Sequence, residues 1–166
     1  MDNLRIIAVT NEELVLSVSA MSDDILRGYF SSYFTTKQID EMLDHSFSPD
    51  ALISEINNGH EYFLISYDYT FAGISSIIEK GDTLLLDKLF IHSEFEDKGL
   101  YLVMIEKYIE LCKLRNLKKI HLLCDKNNTL AFDIYKKAGF EIIGSDTLKL
   151  DEHFETQNHV LEYIIK

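Results

Sequence analysis

Apolar positions along the chain change rhythm several times, and each change predicts an element. Leu4–Thr10 is a β-rich opening run that reads as a strand. Thr10-Asn11-Glu12-Glu13 then has the form of a capping box, a hydroxyl over the first turn with a glutamate reaching back. Helical segments are expected from there to about residue 45. Ser48-Pro49-Asp50 restarts a helix, because Ser caps, Pro needs no N–H partner at the first position and an acid suits the positive dipole end. Asn57-Asn58-Gly59 ends it. Tyr62–Tyr67, Phe71–Ile78 and Leu84–Ile91 are rich in aromatic and β-branched residues, with turns near Asp68 and at Gly81-Asp82. They predict an antiparallel meander. The period then lengthens: Tyr101, Met104, Ile105, Tyr108 and Cys112 make one face of a helix over Leu100–Leu114, stopped near Asn116. Ile120–Cys124 reads as a buried strand. Asn128–Ala138 reads as a helix with Leu130, Ala131, Ile134, Tyr135 and Ala138 on one face and Gly139 beyond it. Phe140–Ile143 and Val160–Ile165 complete the strands.

The pattern predicts an α/β (α+β) fold: a mixed sheet of six to seven strands flanked by helices. It has an N-terminal antiparallel meander and a central β-α-β unit whose strands run parallel. Residues 1–166 are expected to form a single domain, since one Pro, no linker-like stretch and no repeat break the chain.

Charge narrows the function. Sixteen Lys+Arg against 28 Asp+Glu give a net charge of −12. That argues against nucleic acid, which needs a basic stripe, and favours a cationic partner. No apolar run approaches the roughly 20 residues of a membrane span, and Met1–Arg5 lacks the form of a secretory leader. No membrane association and a cytoplasmic location are expected. Cys112 and Cys124 sit in apolar runs and read as reduced core thiols; the six His lack metal-ligand spacing, so no metal is expected. His121, alternating with apolar neighbours, reads as a satisfied strand histidine.

Two segments carry candidate chemistry. Leu89–Ile91 ends a strand, His92–Lys98 follows, and Gly99 opens a helix at Leu100-Tyr101. Backbone N–H groups at such a start are unpaired and lie at the positive dipole end, which suits a pyrophosphate; Lys98 adds a cation. The second, Asn128 to Phe140, reads N-x-x-A-x-x-x-Y-x-x-x-G-F. Asn128 caps, Ala131 is small, and Tyr135 lies one turn beyond it on the same face. Taken alone, Tyr135 also fits a core aromatic with a satisfied hydroxyl.

Together these segments resemble the GNAT superfamily of acetyl-coenzyme-A-dependent N-acyltransferases. The element order is similar throughout, and the motif-level likeness runs from Leu84 to Phe140. The family's pyrophosphate loop, Q/R-x-x-G-x-G/A, falls on Glu96-Asp97-Lys98-Gly99-Leu100-Tyr101. Gly99 matches; Glu96 stands for Gln or Arg, Tyr101 for a small residue, and Ser93 for the usual Pro. The wording is similar to spermidine/spermine-type bacterial members, although Ser145-Asp146-Thr147 stands where their His-containing segment is usual.

The resemblance implies acetyl-CoA as co-substrate and direct transfer to a small-molecule primary amine, a polyamine being one candidate. Phe90 and Ile91 would pair with pantetheine, and Asp97, Lys98, Gly99, Leu100 and Tyr101 would hold the pyrophosphate. Asn128 would hold coenzyme A or order its loop. Tyr135 would protonate the leaving thiolate. Asp87, the acid late in the strand before the loop, is the candidate base, and it fits an ion-paired strand residue equally well. The acceptor would approach past acidic segments: Asp23-Asp24, and Asp151-Glu152 with Glu155. A homodimer is compatible with this fold. The competing expectation is a GNAT-fold binding or regulatory module that no longer uses acetyl-CoA: Glu96 would repel phosphate and the Tyr101 ring would fill its site.

Overall fold

A computed structural model of the chain describes residues 3–151 and 154–166. The elements are β1 (Leu4–Ala8), α1 (Glu12–Phe30), α2 (Thr36–Phe47), α3 (Pro49–Asn57), β2 (Glu61–Tyr67), β3 (Thr70–Lys80) and β4 (Thr83–Ile91). A 3-10 turn (Ser93–Lys98) leads to α4 (Leu100–Leu114), β5 (Lys119–Asp125), α5 (Thr129–Ala138), β6 (Glu141–Asp151) and β7 (Phe154–Ile164). The strands form a seven-stranded mixed sheet in the order β1-β2-β3-β4-β5-β7-β6, so the upper of the two expected strand counts is the right one. The chain divides into two compact units, Met1–Ser76 with Lys88–Glu96, and Ile77–Asp87 with Asp97–Lys166.

In the first unit β1 pairs antiparallel with β2, from Leu4↔Tyr67 to Ala8↔Phe63. The β2–β3 turn has Asp68 and Tyr69 both at positive φ, 50° and 62°, the signature of a tight type I′ hairpin turn. Such a turn makes β2 and β3 antiparallel neighbours, as expected of a meander. The first cap differs from the expectation. Asn11, not Thr10, is the N-cap of α1, its side chain accepting from the Leu14 amide at 2.9 Å. Asn holds the cap better than Thr and sits one residue nearer the apolar face. The true capping box opens α2: Thr35 Oγ1 accepts from Gln38 N at 3.2 Å, and Thr35 N donates to Gln38 Oε1 at 2.9 Å. Ser48 caps α3, accepting from Ala51 N at 3.2 Å with Pro49 behind it. Val18, Leu26, Met42, Leu52, Leu64, Ile65 and Ile74 are buried to within 1%.

In the second unit β4 and β5 run parallel, with register from Thr83↔Lys119 to Leu86↔Leu122. Helix α4 is the crossover, the predicted β-α-β. β7 inserts antiparallel beside β5, and β6 pairs antiparallel on its other side. Both last strands are far longer than predicted, eleven residues each rather than Phe140–Ile143 and Val160–Ile165. For β6 the reason is position: it is the sheet's edge, and Ile142, Ile143 and Leu148 remain 44–51% exposed. Its polar residues face solvent, so an alternating pattern is not required there. Leu84, Leu100, Met104, Ile105, Ile120, Phe140 and Leu161 form this unit's core. Cys112 and Cys124 are buried and free, and His121 pairs with Glu162 at 2.7 Å. Among the described residues no helix is long and apolar enough to cross a membrane.

Candidate active site

The strand end in the first unit is shaped by a close backbone approach. Phe90 and Ile91 lie on the last turn of the β4 pattern, Ile91 buried and Phe90 half-buried against Phe47. Opposite them on β3 is Gly73. A Cβ there would sit 2.5 Å from the Phe90 carbonyl oxygen and 2.9 Å from Ile91 Cδ1. Only glycine admits that approach, so Gly73 fixes the path of the Phe90–Ile91 backbone. The sequence carried its signal, an isolated glycine inside the Phe71–Ile78 strand pattern.

His92 follows, and it also escaped sequence reasoning. Its N–H donates to Ala72 O at 2.7 Å, and its carbonyl accepts from Phe95 N at 2.8 Å. Nδ1 accepts from Glu94 N at 3.2 Å, and Nε2 lies 3.0 Å from Asp24 Oδ2. The Phe95 ring stands edge-on to the imidazole, centroids 6.4 Å apart.

In the second unit the start of α4 is open. Gly99 is its N-cap at φ 71°, and no side chain caps the first turn. The amides that follow are those a helix leaves unpaired. Asp97 and Lys98 are exposed at the end of the 3-10 turn, Lys98 Nζ 3.9 Å from Asp97 Oδ1. Leu100 and Tyr101 point inward, 1% and 5% exposed. The Tyr101 ring therefore packs into the interior. Glu96 is exposed to solvent, where high dielectric weakens its repulsion of an anion.

Tyr101 meets Tyr135. The Tyr135 hydroxyl is held well above its ordinary pKa, first by burial, then by Tyr101, Cys124 and Tyr108 nearby. It stays protonated at neutral pH. Phe140 stacks edge-on against its ring, centroids 5.5 Å apart. Asn128 caps α5 through Oδ1, accepting from Ala131 N at 3.1 Å. Burial pushes the Cys124 thiol up to about 12; its Sγ is 3.9 Å from the Asn128 carbonyl oxygen. Asp87 lies on β4, exposed.

Residues 21–140 match the family model described as Acetyltransferase (GNAT) family. The chain belongs to that acetyltransferase family. GNAT members use acetyl-CoA, so the expected co-substrate is the family's own. An uncharacterized Bacillus subtilis protein, YxbD, is 30% identical over 102 residues, 59% of this chain and 63% of its own length. The match thus spans less than two thirds of that relative. Among solved structures, a PaiA N-acetyltransferase from Thermoplasma acidophilum in complex with coenzyme A superposes at TM-score 0.81, with 14% identity, over 97% of this chain and 98% of that one. A spermidine N-acetyltransferase from Vibrio cholerae, in complex with CoA and spermine, has TM-score 0.68 and 16% identity over 99% and 97%. At these identities the likeness is one of fold, and it extends over nearly the whole chain.

The acids expected beside the acceptor are engaged within the first unit of this GNAT chain. Arg27 binds Asp23 at 2.8 Å and Asp40 at 2.7 Å, and Asp24 holds His92. Asp23, Arg27, Asp40 and Asp44 line a pocket of about 290 Å³ with Phe47 and Ser48. Glu155 is exposed, with Gln157 Nε2 3.4 Å away. Glu152 and the Asp151 side chain lie outside the described residues.

Proposed function

We propose that this chain transfers the acetyl group of acetyl-CoA to a primary amine. The carrying observation is the α4 start, where Gly99 leaves the first-turn amides without a side-chain cap. A diphosphate accepts from such amides and is favoured by the dipole, with Lys98 adding charge. The Phe90–Ile91 backbone, held by Gly73, pairs with pantetheine as an added strand does. The neutral amine attacks the thioester carbonyl; the N–C bond forms and the C–S bond breaks. Asp87, directly or through water, takes the ammonium proton, and Tyr135 protonates the departing thiolate. Asn128 orders the start of α5 and reaches coenzyme A. Titration calorimetry tests this reading: acetyl-CoA is expected to bind with a micromolar dissociation constant, about −8 kcal/mol. No heat at high micromolar ligand would refute it.

For the acceptor we propose a polyamine. The net charge of −12 and the acid-lined pocket favour a polycation electrostatically. Activity is expected to rise between about pH 7 and 9 as amines of ordinary pKa near 10 become neutral. Salt is expected to raise the acceptor KM. A thiol-release panel of polyamines, aminoglycosides, amino acids and lysine peptides decides it; a neutral acceptor preferred without salt dependence would remove polyamines. Against the binding-module alternative, the Tyr101 ring packs inward and Glu96 is exposed to solvent, which weakens its repulsion of an anion.

A further inference from the structure

We infer that Asp24, oriented by His92, is a specificity-determining residue for the acceptor and takes a second positive charge carried by the amine; the inference rests on the reading proposed above. Every group involved lies in the first compact unit: Asp24 on α1, His92 directly after the Phe90–Ile91 strand end, and Ala72 and Gly73 on β3. Consecutive residues of a helix point about 100° apart, so the acids at 23 and 24 serve different neighbours. Asp23 turns along the helix to Arg27, at 2.8 Å, and the same guanidinium takes Asp40 at 2.7 Å. Asp24 turns to the strand end, its Oδ2 3.0 Å from His92 Nε2.

The partners of the two acids differ in charge. Arg27 is a cation and offsets the carboxylates it binds. His92 Nδ1 accepts from Glu94 N at 3.2 Å, so in this arrangement the ring's one proton sits on Nε2 and the imidazole is neutral. It orients the Asp24 carboxylate and leaves the negative charge uncompensated. His92 is itself fixed, its N–H donating to Ala72 O at 2.7 Å and its carbonyl accepting from Phe95 N at 2.8 Å. The Asp24 side chain is 67% exposed, against 20% for His92, and among the described residues it has no other partner. Its second oxygen opens to solvent, one residue beyond the backbone proposed to pair with pantetheine. An amine attacking there directs a second ammonium, on a short methylene chain, toward this oxygen. A carboxylate already oriented loses little rotamer freedom when the cation arrives. Asp24 accepts hydrogen bonds from that ammonium and takes no proton, so a monoamine gains nothing from it.

Thiol-release kinetics with spermidine and with propylamine test this on the full chain, alongside acetyl-CoA calorimetry. Asp24→Asn keeps an oxygen for the His92 N–H and removes only the charge. Its KM for spermidine is expected to rise about fivefold, the upper range of an exposed ion pair. Its kcat, propylamine KM and acetyl-CoA Kd are expected to stay within about twofold of wild type. A structural role for Asp24 would move both acceptors together. Glu13→Gln makes the same change in net charge at an exposed site near the start of α1. That site is about 16 Å away along the axis, beyond the screening length, and the spermidine KM is expected to stay within about twofold. A spermidine-selective rise confined to Asp24→Asn supports the inference. An unchanged ratio of the two KM values in Asp24→Asn, or an equal rise in Glu13→Gln, overturns it. A wild-type chain that binds acetyl-CoA but prefers propylamine also overturns it and leaves the acetyltransferase reading in place. A wild-type chain that binds no acetyl-CoA removes the proposed function and this inference with it.

Discussion

Helix α5 begins at Asn128, whose side-chain oxygen accepts from the Ala131 amide, whereas α4 begins at Gly99 with nothing over its first turn. The other three α-helices resemble α5, closed by Asn11, Thr35 and Ser48. A side-chain cap is typically worth about 1 kcal/mol, so an uncapped start forgoes stability that the same chain secures four times elsewhere. A closed start has given its amides to the protein. An open one keeps them for an anion. On the reading proposed above the two helices do different work: α4 offers binding, and α5 offers chemistry through Tyr135, one turn before its end.

The largest expected effect breaks the chemistry side. Tyr135→Phe keeps the ring against Phe140 and removes only the proton donor. Turnover is expected to fall about 10²–10⁴-fold with acetyl-CoA affinity nearly unchanged. Thiol-release kinetics and calorimetry on the same sample check it; unchanged turnover would leave Tyr135 as packing.

The next closes the open start. An added Cβ at Gly99 meets nothing within 4 Å, and Asp tolerates the left-handed backbone that most side chains resist. Gly99→Asp adds a carboxylate beside the first turn of α4. Acetyl-CoA affinity is expected to drop at least about tenfold through repulsion of the diphosphate. Equal affinity would locate the diphosphate elsewhere.

A smaller effect separates the two roles of Asn128. Asn128→Ala is expected to lower stability by about 1 kcal/mol in denaturant unfolding. Asn128→Asp retains the cap oxygen and removes the amide donors. If Asn128 holds coenzyme A as well as the helix, Asp preserves stability and weakens coenzyme A binding severalfold. Intact binding in Asp would confine Asn128 to capping.

The smallest effect is read in alkali. Burial raises Cys112 from 9.0 to about 11 and Cys124 from 9.0 to about 12. The unfolded chain releases these protons first. The contribution is therefore present in full below pH about 9 and is lost as pH climbs through the folded values. The denaturation midpoint is expected to fall from about pH 9 upward to about pH 11, and Cys124→Ala is expected to flatten that fall. A midpoint equally steep in Cys124→Ala would assign the slope to Tyr135 and its neighbours.

Most of the fold was legible because the period of the apolar positions changes where the elements change. The meander, the α4 crossover and α5 came directly from it, and the Ser48-Pro49 helix start came from its capping residues. The Thr10 cap was off by one residue: Asn11 is the better cap and sits one residue nearer the apolar face of α1. β6 was mostly missed because an edge strand exposes both faces, and polar residues satisfy it as well as apolar ones do. Within the site, the N-x-x-A-x-x-x-Y and Gly99 patterns were readable, being local in sequence. His92 and Gly73 were not assigned: their partners, Asp24 and Phe90, are distant in the chain.

The sequence by itself determined the order of elements, the acidic balance, the glycine that opens α4 and the tyrosine near the end of α5. Hydrophobic period and backbone propensity are properties of neighbouring residues, so they survive without the fold. Only tertiary structure decided which way Tyr101 turns, that Asp40 joins Arg27 and His92 holds Asp24, and that Gly73 must stay bare for the Phe90 carbonyl. Each of these depends on a distance between residues that the chain alone leaves free, and only packing of strands and helices fixes it.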